Sequence, residues 1–157
     1  MSALLVAVFF ASIFEVNAVC LRYVQASKEA VSAIQGVQDR LETLRNMAFS
    51  DLTEPNAVTA LMVNPSNVSD LAKRVIETIT ISAYDTDSAA GGTVGAPVVI
   101  TRPAGATSTP SINGSSTSIA TAKAVLVDVR YDWVATLAGG RVRSERTSTI
   151  ISAGVKK

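Results

Sequence analysis

The chain has 157 residues, of which 48% are hydrophobic, 5% aromatic and 17% charged, with a formal net charge of +1. This is too apolar for a disordered tail and long enough to bury a core. With no histidine and one cysteine, Cys20, it excludes a His-based catalytic dyad, a Cys/His zinc site and an internal disulfide. Neither G-x-S-x-G nor S-x-x-K occurs, so no enzyme and no cofactor are expected; the near-neutral total gives no reason to expect nucleic acid.

Charge and hydrophobicity are spread unevenly. Residues 1–50 carry four basic and four acidic groups, residues 51–122 three and six, and residues 123–157 seven and three. From Ser2 to about Ala48 there is no proline and only one glycine, Gly36, which predicts one continuous helix roughly 70 Å long at about 1.5 Å per residue. Ala30, Ile34, Val37, Leu41, Leu44 and Ala48 recur at helical spacing and form the expected head-facing stripe, with Lys28, Glu29, Asp39, Arg40, Glu42 and Arg45 mostly off it. The first half is apolar all round: Leu4, Leu5, Val6, Val8, Phe9, Phe10, Ile13, Phe14 and Val16 point in every direction. Such a segment needs lipid or other helices around it.

The apolar run meets Glu15 before it reaches the roughly 20 residues of a membrane span, and it lacks the basic flank of a secretory signal. The expectation is that further residues precede Met1 in the natural protein. Glu15 has no cation three or four residues away on its own helix. Arg22, seven residues on, is about 10.5 Å further along the axis, so a Glu15 to Arg22 pair between two axially shifted copies is one expectation. Solvation of Glu15 at a membrane boundary, or a bond to Asn17 of another helix, is the other. Cys20 reads as a small packing residue.

Beyond the helix, Thr53 to Met62 reads as a capped short helix stopped by Asn64 and Pro65, followed by a turn around Ser69 to Lys73. Alternation predicts a strand over Val75 to Tyr84, a weaker edge strand over Pro97 to Thr101, and a strong strand over Lys123 to Val134. In the last, Val125, Val127, Val129, Tyr131 and Trp133 share one face. Ala138, Gly139 and Gly140 turn the chain back into a strand over Arg141 to Ser152. Residues 86–122 hold thirteen Ser or Thr, five Gly and three Pro but only two charges, which predicts a long exposed loop. Thr107, Ser108, Ser115 and Ser116 are candidate O-glycosylation sites, and Asn67 and Asn113 head N-glycosylation sequons. Asp85-Thr86-Asp87 starts like a calcium loop but lacks its remaining ligands, so no metal is expected. The basic end, with Arg141, Arg143, Arg146, Lys156 and Lys157, is expected to meet the acidic middle segment of an adjacent copy.

The expected fold is therefore α+β: a helix over residues 1–50, projecting over 1–24 and packed over 25–50, a connector over 51–74, and a small antiparallel β head over 75–157. The apolar helix and its passage into the head, Ala26-Ser27-Lys28-Glu29-Ala30 and then Arg40-Leu41-Glu42-Thr43-Leu44-Arg45, closing with Met47-Ala48-Phe49, resemble the type IV pilins and pseudopilins. The likeness covers about the first 50 residues. It implies a precursor held in the inner membrane, cut by a prepilin peptidase, methylated, and polymerised by pilus machinery into an extracellular filament serving adhesion or motility. The assembly surface would comprise the apolar residues above with Glu15 and Arg22. The family's basic leader, its glycine and its early glutamate are not seen from Met1 onward; the expectation is that they lie upstream of Met1, the alternative being that Met1 begins the mature chain and Leu5 stands where that glutamate would fall. Family members often close the head with a disulfide, for which this chain has no second cysteine. A minor pseudopilin of a secretion or DNA-uptake machine, and a monomeric anchored surface-binding protein, are the alternatives.

Overall fold

The computed structural model describes residues 2–85, 93–135 and 140–154, and within these the side chains of residues 2–4, 85, 93, 94 and 118 lie outside the description. Helix α1 runs unbroken over Ser2–Asn46, as expected of a stretch with no proline and a single glycine. Arg45 in its last turn complements the helix dipole. Three short helices follow: α2 (Phe49–Leu52), α3 (Pro55–Met62) and α4 (Asp70–Arg74). Pro55 starts α3, where its missing N–H costs nothing. The Thr53-Glu54 cap expected there does not form: Glu54 occupies the N-cap with no side-chain bond, and the Thr53 hydroxyl instead bonds back to the carbonyls of Phe49 and Ser50.

At α4 the cap is real. Ser69 Oγ accepts from Ala72 N at 3.1 Å, and Asn67 Oδ1 in turn accepts from Ser69 N and Oγ. Ser69→Ala should therefore cost about 1 kcal/mol of head stability, read as a shift in the urea midpoint with unchanged slope.

The head is one antiparallel sheet. Its strands are β1 (Ile76–Asp85), β2 (Thr93–Val94), β3 (Val98–Arg102), β4 (Ser111–Asn113), β5 (Ala124–Val134) and β6 (Val142–Ser152). Five run in the order β4-β3-β1-β5-β6, with β2 pairing only to the end of β1. The alternation in β5 is as predicted: Val125, Val127, Val129, Tyr131 and Trp133 are all buried, in one core with Ile79 and Ile81 of β1 and Val98 and Ile100 of β3, where α1 lies along β5 and β6 and α3 covers β3. The fold class is α+β, a long N-terminal helix on an antiparallel sheet.

Three expectations need correction. The stretch over 86–122 is more than a loop around one strand, for besides β3 it supplies β2, β4 and the short helix α5 (Thr117–Ala120), whose Ile119 is fully buried in the core. Strand β3 is interior, not an edge, because β4 pairs along its far side through Val99, Ile100 and Thr101; Pro97 lies just before the strand, where its missing donor is harmless. The head-facing stripe of α1 is also rotated from the expected one. Ala33, Gly36, Val37, Arg40, Leu41 and Leu44 are buried, while Ile34 is 42% exposed and Ala48 lies in solvent.

Candidate assembly surface

The rotation of α1 has a specific cause. At Gly36 a β-carbon would stand 2.6 Å from Tyr131 Cε2, so only glycine lets the helix approach the Tyr131 ring this closely. The Tyr131 hydroxyl donates to Gly36 O at 3.2 Å and shares a second hydrogen bond with Ser66. Burial first, and then the Glu77 carboxylate, push the Tyr131 phenol above its ordinary value of 10.0; Ser66, Arg40 and Arg102 pull the other way. The folded protein thus keeps this proton where the unfolded chain loses it. The corresponding stability is complete below about pH 10 and is lost as pH rises beyond it. Urea unfolding at about pH 8 and about pH 11 should show that loss in the parent and a smaller one in Tyr131→Phe.

Beside Tyr131 lies a buried ionic cluster that pins the helix. Glu77 on β1 pairs across the sheet with Arg102 on one side and Tyr131 on the other. Its carboxylate accepts from Arg40 Nε at 2.5 Å and Arg40 Nη2 at 3.2 Å, and from Arg102 Nε at 3.0 Å. The remaining donors are spent on carbonyls: Arg40 on Leu61 and Asn64, Arg102 on Ala72, Gly105 and Pro103. Glu77 and Arg102 have no solvent exposure at all. Two guanidiniums around one carboxylate are tolerable in a core only because the surplus donors find these carbonyls. Sequence reasoning placed Arg40 off the stripe and did not single out Glu77. The signal was there: Glu77 shares the period-two face of Ile79 and Ile81, and Arg40 falls three residues after Val37 and four before Leu44.

Above the head the helix changes character. Every side chain from Leu5 to Gln25 is exposed, Phe14 and Leu5 each by 70%. The placement of Leu5, Val6, Val8, Phe9, Phe10, Ile13, Phe14, Glu15, Val16 and Arg22 on this projecting segment is as the sequence analysis has it, while the side chain of Leu4 lies outside the described residues. The helix over Leu5–Asn46 is long and apolar enough to cross a membrane. Ser12, its one hydroxylated residue before Glu15, donates back to the carbonyls of Val8 and Phe9 at 2.9 Å and so carries no unmet donor into an apolar setting. The apolar track then continues down the outer side of α1, away from the sheet, through Val24, Val31 and Ile34. That is where Ile34 goes instead of the core.

The head charges are largely spent within the molecule. Arg146 bonds Asp128 at 2.6 Å, which keeps the Arg146 guanidinium above its usual pKa, and Arg130 bonds Asp132. Glu77 of the acidic middle segment is inside the core and Asp70 pairs with Lys73. Of the basic patch, Arg141, Arg143 and Arg146 are all exposed, Arg146 while bonded to Asp128; Lys156 and Lys157 lie outside the described residues. Asp85-Thr86-Asp87 also falls outside the described side chains. Among those described there is no cluster of three or more His, Cys, Asp or Glu that could hold a metal ion.

The candidate glycosylation sites divide. Asn67 is half-buried, and its Nδ2 donates to Asp39 Oδ2 of α1 at 2.8 Å, so a glycan there would displace a bond between the connector and the helix. Asn113 is exposed on β4, as are Thr107 and Ser115 in the adjoining turns; Ser108 and Ser116 are half-buried. Cys20 is exposed on the projecting helix. No protein-family model, no curated protein and no solved structure matches this chain.

Proposed function

We propose that the chain is the structural subunit of an extracellular filament of the type IV pilus kind, assembled through the projecting half of α1. The observation that carries this reading is the division of one helix into two solvents. From Glu29 onward its inner face completes the core of the head, whereas from Leu5 to Gln25 every side chain is bare, and from Leu5 to Phe14 all but Ser12 are apolar. In the filament, packing that segment among copies of itself keeps its apolar surface out of water, a transfer of about 25 cal/mol per Å² for each subunit. Before assembly the same segment is held in the inner membrane, where the resemblance adds a prepilin peptidase and an assembly machine as partners. The sheet and its hydroxyl-rich turns then form the outside of the filament, available for adhesion.

Shearing producing cells and examining the released material tests this. Filaments composed mainly of this chain are the expected result. Traces of it among filaments of another subunit would make it a minor pseudopilin, and recovery only from membranes would make it a monomeric anchored binding protein. Replacing Phe9 and Phe14 together by serine should abolish filaments while leaving the urea midpoint of the head unchanged, because neither ring touches the core.

A further inference from the structure

One face of the projecting helix carries a second pattern. Val8, Ala11, Glu15, Ala18, Arg22 and Gln25 follow each other at alternating spacings of three and four, and all are exposed. Such a series lies along one seam of a helix that packs on a parallel partner. Its wide positions are Val8, Glu15 and Arg22; the intervening Ala11 and Ala18 are small enough for two backbones to approach closely. Among the described residues, neither Glu15 nor Arg22 has a hydrogen bond or ion pair within its own molecule. The next wide position, Glu29, is already held by Arg74 of its own head at 3.7 Å, so the seam ends where the head begins.

We infer that this seam packs against a second copy of the chain, in parallel and displaced by one heptad, so that Glu15 of one copy pairs with Arg22 of the next. Charge decides the displacement. In register, Glu15 would face Glu15 and Arg22 would face Arg22 in a setting where like charges are costly. A shift of seven residues, about 10.5 Å along the axis, keeps the small positions facing each other and replaces both repulsions with one pair. The pair also leaves Arg22 of the first copy and Glu15 of the second unmatched, and each is satisfied by a further copy on the flank of the same face. The contact is head-to-tail and does not close, which yields an open polymer in place of a dimer. The inference rests on the filament reading for its setting but is separable from it.

The experiment uses two differently tagged full-length chains, both carrying Cys20→Ser, one with Glu15→Cys and the other with Arg22→Cys. They are produced together or singly and oxidised in whole cells, and membranes and sheared filaments are then collected. The expected product is a cross-linked dimer bearing both tags, formed only on co-production. Dimers from either variant alone would mean in-register packing and would overturn the inference. Filaments without the mixed dimer would overturn it while sparing the filament reading; the mixed dimer in membranes without filaments would do the reverse, and the absence of both would remove both. Because these cysteines erase the attraction they probe, charge reversal supplies an independent readout. Glu15→Arg and Arg22→Glu should each lower filament yield at least tenfold, and the two together in one chain should restore most of it. A double variant no better than either single would overturn the pairing.

Discussion

Glu77→Gln is expected to destabilise the head by about 3–5 kcal/mol, a large share of what holds a domain of this size together. The substitution preserves shape and removes only the negative charge, leaving the Arg40 and Arg102 guanidiniums facing each other across a site closed to water. Asp128→Asn supplies the contrast. Its partner Arg146 has a side chain 69% exposed, so loss of that solvent-screened pair should leave the midpoint nearly unchanged. Trp133, the only tryptophan in the chain, is buried on the helix-facing side of β5 and reports unfolding of the whole chain in detergent. Equal midpoints for the two variants would refute the assignment of the cluster as the main polar fastening between α1 and the sheet.

Gly36→Ala should be destabilising even though alanine is the better helix former. Removing a glycine from a helix interior ordinarily contributes about 0.5–1 kcal/mol of stability. Here the new methyl group would overlap the Tyr131 ring at 2.6 Å, and the ring can yield only by giving up its bonds to Gly36 O and Ser66. Overpacking of this kind costs about 1–3 kcal/mol, to which the loss of a buried hydrogen bond adds about 1 kcal/mol. The net expectation is a loss of about 1–3 kcal/mol. The sign is the stringent part. In a Tyr131→Leu background the obstacle is gone, and the same Gly36→Ala change should become neutral or stabilising. A loss of equal size in both backgrounds would refute the steric account.

These two sites also mark where sequence reading stopped. The helix, the β1, β5 and β6 strands and the inward face of β5 were legible because each follows a single period over ten residues or more. Gly36 is visible only as the one glycine in a long helix, and its meaning depends on Tyr131, 95 residues away. Arg102 is likewise one of two charges in a polar stretch of 37 residues, 86–122, and was read as part of an exposed loop. Nothing local distinguishes a solvated arginine from one that crosses a core to reach a glutamate on the neighbouring strand. β4 was missed because its three residues, all exposed, carry no alternation in burial. The projecting segment of the candidate assembly surface is legible almost completely, since an apolar stretch of helix depends on no distant partner. Its continuation along Val24, Val31 and Ile34 is not, because Ile34 fits the expected core stripe and only the Gly36 contact turns it outward.

The unbroken path from the bare end of α1 into the head also decides how the chain meets tension. A pull on the projecting segment travels along a helix without proline and enters the head in turn at Glu29, held by Arg74, at Gly36, bonded to Tyr131 of β5, and at the Arg40 guanidinium, which grips Glu77 on β1. That strand is the middle one of five, hydrogen-bonded to β3 over five paired positions and to β5 over eight. The force that reaches Glu77 is delivered to the centre of the sheet and must displace β1 against both neighbours at once, while the remainder passes into the edge strand β6, along which α1 also lies.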